Sequence, residues 1–391
     1  MRHIFIYVNP ESGGRNASHF IKQGVKSLEL TKPEPLTLHI CSIFEGESGN
    51  KPGFIQLRDF LSYEEPQELV FVITAGGDGT LTWVVSEVEK HSINPDLLCF
   101  GIIPYGTGND FARALKWHKF RNLKPFEDNF KPLMTYLNKL MKSDPIKHDF
   151  WDVYLKLNPG GSFNKINSKT RLKENLFDSD GNLIESMKFK MGNYFSIGTE
   201  SRIGRGFDRR RTRYSCFNKF RYILEAFKKT FMGLVYVNNQ VERMVYGENE
   251  EILFVTDPKE KNLPVLLKSA SLVALNIPSF SSGIDAFSLA SGIALKNVSE
   301  EYKKELLIAD QVMGDKKLEF FCYRDMKDVG LDILKFGKSK RLHVGGGPWK
   351  IIFKDLSKDE KCYFQVDGEF FVMYQPKLIE IKHYKTINVV K

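Results

Sequence analysis

Apolar and polar positions follow two different textures along the chain. In the first 144 residues, short β-branched and aromatic runs at 4–8, at 100–104 and opening at Val70 each lead into a turn rich in Gly, Asn, Ser or Asp. Each turn is followed by a segment of helix-forming composition, beginning near Asn16, Thr80 and Phe111, and a further helical pattern covers 130–141. Repeated strand, loop and helix predicts a doubly wound α/β sheet. After Ser143-Asp144-Pro145 the pattern changes. Segments 151–157, 188–197, 252–256, 271–277, 317–323, 350–353 and 363–366 read as successive strands separated by polar turns, the pattern of an antiparallel sandwich or barrel. The polar stretch 158–186 has little apolar periodicity and is expected to be a long surface loop. The fold class expected is α/β: a doubly wound N-terminal domain over 1–144, then a mainly antiparallel β-sandwich domain over 145–391. The C-terminal segment is expected to pack back on the first domain.

Composition sets outer limits. A chain of 391 residues with 42% apolar residues and 31 Phe can bury two medium cores. The five cysteines, at 41, 99, 216, 322 and 362, show no CxxC spacing, which fits a reducing compartment and excludes a cysteine-based zinc site. The apolar run at 4–8 is too short for a signal peptide, and no stretch approaches a membrane span, so a soluble or peripheral protein is expected in the cytoplasm. The net charge of +9 is concentrated between Arg202 and Lys229, where ten Lys and Arg face only Asp208 and Glu225. With Phe207, Tyr214, Phe217, Phe220, Tyr222 and Phe227 interleaved, this segment suits transient contact with an anionic membrane. The other reading is a helix with core-facing aromatics and solvated arginines. Nucleic acid is a poor fit beside the phosphate-type loops described next.

Three turns carry the candidate chemistry. Asn9-Pro10-Glu11-Ser12-Gly13-Gly14, Gly76-Gly77-Asp78-Gly79-Thr80 and Gly106-Thr107-Gly108-Asn109-Asp110 each follow an apolar strand. Gly76, Gly77 and Gly79 can take φ > 0 and keep side chains away, so that backbone N–H groups can approach an anion, and a helix N-terminus beyond the turn adds favourable potential. In open α/β sheets ligands sit beyond the carboxyl ends of strands, so three such loops are expected to share one crevice. There is no GxxxxGK[ST] segment, which excludes a P-loop enzyme.

In order and spacing these segments resemble the catalytic domain of the diacylglycerol kinases, a family related to the sphingosine and ceramide kinases. The resemblance continues through Asn193-Tyr-Phe-Ser-Ile-Gly198, Leu275-Asn-Ile-Pro-Ser279, Asp315 to Glu319 and Gln365-Val-Asp-Gly-Glu369. It implies ATP as phosphoryl donor and diacylglycerol as acceptor, with Mg²⁺ near Asp78 and Asp315. A ceramide or other long-chain alcohol kinase, or a non-catalytic lipid-binding scaffold, are the alternatives. Asn9, Ser12, Gly13, Gly14, Gly76, Gly77, Gly79, Thr80, Gly106, Thr107, Gly108, Asn109 and Asp110 are the expected nucleotide contacts. For the general base the related families differ: by resemblance it is either Asp78 or Glu369, with Glu369 favoured. Asp367-Gly368 is also a strong hairpin-turn signal. Two departures from the family pattern stand out: Asp315-Lys316-Lys317 lacks a usual glycine, and Gly198-Thr199-Glu200-Ser201 places a longer carboxylate in the substrate-facing segment.

Overall fold

The computed structural model describes residues 2–32, 34–64, 66–106, 108–167, 170–209 and 233–391. The chain forms two compact units. The first comprises Met1–His148, Ser281–Gly283 and Thr386–Lys391; the second comprises Asp149–Phe280 and Ile284–Lys385.

In the first unit β1 (Arg2–Val8), β2 (Ser27–Leu30), β3 (Leu36–Ser42), β4 (Val70–Gly76) and β5 (Leu98–Pro104) form one sheet. β1 pairs in parallel with β3 on one side and β4 on the other, and β4 pairs in parallel with β5. Residues Asn388 and Val389 add a parallel strand beside β5, while β2 caps the other edge in antiparallel register. Numbered by sequence, the five parallel strands therefore lie in the order 2-1-3-4-5. β1, β4 and β5 are almost wholly buried, which is why they read as continuous apolar runs rather than alternating ones. Helices α1 (Pro52–Glu64), α2 (Asp78–Lys90), α3 (Asp110–Ala114) and α4 (Lys131–Leu140) connect or cover these strands. In α2 the buried Leu81, Val84, Val85 and Val88 recur at three- and four-residue spacing, one face of a helix. The segment after Asn16 is only a 3₁₀ turn, Asn16–Phe20. The terminal strand is held by the Trp117 indole, which donates to the Val390 carbonyl at 2.8 Å, and by Asn388 Nδ2, which donates to the Leu98 carbonyl at 3.1 Å.

The second unit is mainly antiparallel. Its strands are β6 (Pro145–Ile166), β7 (Lys173–Asn175), β8 (Ser186–Met191), β9 (Tyr194–Gly198), β10 (Val241–Tyr246), β11 (Glu251–Val255), β12 (Val265–Leu266), β13 (Ser271–Leu275), β14 (Leu295–Lys296), β15 (Leu318–Tyr323), β16 (Lys340–Gly345), β17 (Trp349–Phe353), β18 (Lys361–Val366) and β19 (Glu369–Val390). β6 and β19 extend at one end into the residues of the first unit. One antiparallel ribbon runs β16-β15-β13-β9-β18-β19 and continues β19-β17-β10-β11. The inward residues Trp151, Phe195, Leu272, Phe320, Trp349, Phe364 and Phe371 belong to one buried core.

Two expectations change. Residues 158–166 are not loop but the continuation of β6, with Asn164 opposite Asn175 in β7 and Phe163 fully buried. The polar alternation there is one face of a half-buried strand, which composition alone reads as loop. The single strand expected at 188–197 is two, β8 and β9, because the Gly192-Asn193 bend separates them.

Candidate active site

Strand order reverses between β1 and β4, since β3 lies on one side of β1 and β4, β5 and the terminal strand on the other. Connections leaving β1 and β4 therefore diverge and open a crevice at their carboxyl ends, the position at which doubly wound sheets bind ligands. All three glycine-rich loops lie there or at the neighbouring end of β5. They touch one another: Gly77 and Gly106 are so close that a Cβ on Gly106 would meet Gly77 Cα at 2.8 Å, and a Cβ on Gly13 would meet the Tyr105 carbonyl oxygen at 2.6 Å. The Tyr105 N–H donates to the Gly76 carbonyl at 2.8 Å, and Asn9 Nδ2 reaches Thr80 Oγ1 at 3.4 Å.

Positive φ accounts for only some of these glycines. Gly13 and Gly14 do take positive φ, 63° and 66°. Gly77 sits at φ −94°, ψ −179°, extended backbone open to any residue, and Gly76, Gly79, Gly106 and Gly108 are likewise absent from the left-handed region. Close approach is what excludes side chains here. A Cβ on Gly76 would lie 2.3 Å from Thr80 Oγ1 and one on Gly106 would lie 2.6 Å from Asn109 Oδ1, whereas one on Gly79 would have open space around it. Gly79 is in the first turn of α2, whose N-cap is Gly77, so this open space adjoins the positive end of a 13-residue helix.

Several polar side chains hold the loops. Asn9 Oδ1 accepts from the Glu11 N–H at 3.2 Å. Asn109, at φ 53° and nearly buried, donates from Nδ2 to the Gly106 carbonyl at 2.7 Å, while its buried Oδ1 has no hydrogen-bond partner among the described residues. Asp78 is half-buried, and its Oδ2 accepts from the Asp110 N–H at 2.8 Å, which ties the second loop to the third. Asp110 is buried, and both of its carboxylate oxygens accept from the Ser282 N–H, at 3.0 and 3.1 Å. Arg113 donates from Nε to the Gly108 carbonyl at 3.2 Å. Arg113 and Ser282 were not legible in the motifs, since Arg113 follows them and Ser282 is about 170 residues away. Thr107 lies outside the described residues.

Glu369 and Asp315 belong to the second unit. Asp367 and Gly368, at φ 48° and 84°, form the tight turn between β18 and β19 that the Asp-Gly pair predicts, and Val366 and Glu369 face each other across it. Asp367 accepts from the N–H groups of Gly192, Asn193 and Tyr194 at 2.7, 2.8 and 3.0 Å. Burial pushes its carboxyl up to about 6 against the pull of those donors, and the Glu369 charge adds to the rise. Glu369 itself is exposed at the rim of this clamped turn.

Asp315 is half-buried and accepts from the Lys317 N–H at 3.0 Å; burial raises its pKa, with the Asp149 charge contributing. Nearby Glu319 is 1% exposed, accepts from Gln311 Nε2 at 2.9 Å, and has a second oxygen without a hydrogen-bond partner among the described residues. Burial pushes its carboxyl up to about 8, against the Gln311 hydrogen bond and with the Asp315 charge adding. Among the described residues no three His, Cys, Asp or Glu side chains form a preformed metal cage. Mg²⁺ commonly uses only one or two carboxylates and completes its shell with water and substrate phosphates. An orphaned buried carboxylate oxygen beside a second carboxylate with raised pKa is compatible with such a cation.

Part of the basic segment is accounted for internally. Arg202 donates from Nη1 to the Gly233 carbonyl at 2.7 Å, and buried Arg205 donates to Asn164 Oδ1. These two cations are thus engaged within the second unit rather than presented as free charge. Residues 210–232, with most of the remaining cations, lie outside the described residues. Among the described residues no helix is long and apolar enough to cross a membrane. A groove of about 850 Å³ lies elsewhere on the first unit, lined by His3, Phe5, His39, Phe60 and Tyr63 among others, and includes no residue of the three loops.

Residues 3–131 match the Diacylglycerol kinase catalytic domain, and residues 190–370 match the Diacylglycerol kinase accessory domain. The chain is 25% identical over 398 residues to Diacylglycerol kinase 2 of Arabidopsis thaliana, covering 100% of this chain and 46% of that protein. It is 25% identical over 393 residues to Probable diacylglycerol kinase 3 of Caenorhabditis elegans, covering 98% of this chain and 43% of that protein. The chain thus spans less than half the length of these curated relatives. A solved structure of a diacylglycerol kinase from Bacillus anthracis str. Sterne aligns at TM-score 0.42 and 13% identity, over 100% of this chain and 96% of that one. Two consecutive domain matches, in the same order as the three-loop unit and the β-rich unit, place this chain in the diacylglycerol kinase family.

Proposed function

We propose that this protein transfers the γ-phosphoryl group of ATP to the free hydroxyl of diacylglycerol, giving phosphatidate and ADP. The observation that carries the reading is the meeting of three glycine-rich loops where strand order reverses, beside the N-terminus of α2. Backbone N–H groups around Ser12–Gly14, Gly76–Gly79 and Gly106–Gly108, with the Thr80 hydroxyl near them, would orient the triphosphate. Phosphoryl transfer asks little covalent chemistry of a protein and depends on positioning and charge stabilisation. Glu369 is assigned as general base. It would take the hydroxyl proton as the substrate oxygen bonds to the γ-phosphorus and the bond to the ADP oxygen breaks. Exposure of Glu369 on a turn clamped by Asp367 supports this assignment over Asp78, whose Oδ2 is engaged with the Asp110 N–H. Mg²⁺, when bound, would neutralise charge developing on the phosphates; Asp78 and Asp315 are the carboxylates assigned to it. Access to a lipid substrate implies peripheral contact with anionic membrane through the Arg202 to Lys229 segment.

The test is phosphorylation by the purified chain with γ-labelled ATP and mixed micelles containing diacylglycerol, ceramide or another long-chain alcohol. Labelled phosphatidate is expected. Label in ceramide alone would move the substrate assignment, and no labelled lipid under any condition would overturn the kinase reading in favour of a binding scaffold.

A further inference from the structure

A turn in the second unit holds two large apolar side chains away from its core. The helix Met326–Ile333 leads through Leu334-Lys335-Phe336-Gly337-Lys338-Ser339 into β16. Leu334 is 67% exposed and Phe336 is 61% exposed. Single exposed apolar residues are common on protein surfaces, so what matters is how firmly the backbone holds these two outside. The helix ends in a left-handed cap. Lys335 has φ 64°, its N–H donates to the Asp332 carbonyl at 2.9 Å, and the Phe336 N–H donates to the Leu331 carbonyl at 3.1 Å. In such a cap an apolar residue at the Phe336 position commonly folds back on the last helical turn. Here it stands more than half in solvent.

The chain beyond Phe336 is pinned. Gly337, at φ 64°, lies so close to a neighbouring segment that a Cβ would meet the Leu289 carbonyl oxygen at 2.3 Å. Asp332, 1% exposed, accepts from the N–H groups of Lys338 and Ser339, and Ser339 Oγ donates to the Ala286 carbonyl at 2.5 Å. The carboxylate that shapes the turn is therefore withdrawn from its surface. What the turn presents is Leu334 and Phe336, with exposed Lys335 between them and exposed Lys338 following; among the described residues neither lysine forms an ion pair. A protein partner would have to bury or neutralise these cations, whereas an anionic bilayer accepts apolar side chains below its headgroups and lysines at their level. We infer that this turn is a membrane anchor, Leu334 and Phe336 entering the interface of an anionic bilayer while Lys335 and Lys338 meet its headgroups. The anchor is distinct in sequence from the Arg202 to Lys229 segment. It rests on the peripheral contact proposed above but not on the reaction catalysed.

Sedimentation of the full-length chain with phosphatidylcholine vesicles, with and without phosphatidylserine and at low and high salt, tests the anchor. Leu334→Ser and Phe336→Ser should each weaken binding to the mixed vesicles about tenfold, the effect of losing one partly buried apolar side chain. That loss should persist at high salt, which screens charge but not burial. Lys335→Glu with Lys338→Glu should weaken binding at low salt by roughly fivefold or more per cation and change little at high salt. Tm should hold in all of these, since the side chains are exposed. Phe336→Trp should still bind, and its added emission should shift to shorter wavelength on vesicles and be quenched by lipid brominated along the acyl chain. Binding within twofold of wild type when Leu334→Ser and Phe336→Ser are combined, or no quenching of Phe336→Trp, would overturn the anchor alone. Self-association that Phe336→Ser abolishes, without any vesicle response, would overturn it in favour of a contact between copies of this chain. A wild-type chain that binds no vesicle would overturn the anchor and the peripheral contact together, whereas vesicle binding without labelled lipid product would overturn the kinase reading and leave the anchor standing.

Discussion

Gly79→Ala separates stability from function within one loop. Gly79 lies in the first turn of α2 without positive φ, and the position its Cβ would occupy has no neighbouring heavy atom within 4 Å. Alanine therefore fits the apo fold and should stabilise it by about 0.5 kcal/mol, part of the ~1 kcal/mol separating Gly from Ala in a helix. If that open space is where a phosphate sits, the methyl group displaces it from the backbone N–H. Losing one hydrogen bond to a charged group costs about 1.5–3 kcal/mol, or roughly ten- to a hundredfold in affinity. Urea denaturation and nucleotide titration on the same sample should thus move in opposite directions. Gly76→Ala is the contrast. Its Cβ would fall 2.3 Å from Thr80 Oγ1, so stability should drop by about 1–3 kcal/mol together with ATP binding. Wild-type ATP affinity in a well-folded Gly79→Ala protein would show that no phosphate lies over this turn.

Three further outcomes are expected. Asp78→Asn keeps an oxygen to accept from the Asp110 N–H while removing the charge, so the fold should persist and kcat should fall at least a hundredfold; retention of a tenth of the activity would exclude an essential charge at this position. Glu369→Gln should lower kcat by about 10² to 10⁴ with little change in Tm, since the side chain is exposed, and near-normal turnover would transfer the base role to Asp78. Burial pushes the Glu319 carboxyl up to about 8 from the ordinary 4.5, so the unfolded chain releases this proton first and the contribution of this one group to stability should decline as pH rises from about 4.5 to 8. That linkage amounts to several kcal/mol in order of magnitude, and Glu319→Gln should flatten the decline; identical Tm slopes in the two proteins between pH 5 and 8 would refute it.

Much of this protein is local in character and so could be read along the chain. The apolar runs of β1, β4 and β5 are continuous because both faces of a parallel strand are covered, and their glycine-rich ends identify the loops without reference to any contact. The Asp367-Gly368 turn is equally local, since only certain residues tolerate two successive positive φ values. Other features depended on distant partners. β3, with its mixed sequence L-T-L-H-I-C-S, becomes a central strand because β1 and β2 pair with its two edges, and the polar tract at 158–166 becomes strand because β7 pairs with part of it. The 22-residue β19 alternates buried Ile379 and Ile381 with more exposed Lys and Glu in its middle, whereas 371–373 and 387–390 are buried on both faces. Within the site, motif logic placed glycines correctly but misjudged what Gly76 and Gly77 do, as backbone angles and interloop distances exist only once the loops meet. Nor could any spacing rule join Asp110 to Ser282, because a carboxylate's choice of N–H donor across 172 positions is made by packing rather than by sequence neighbourhood.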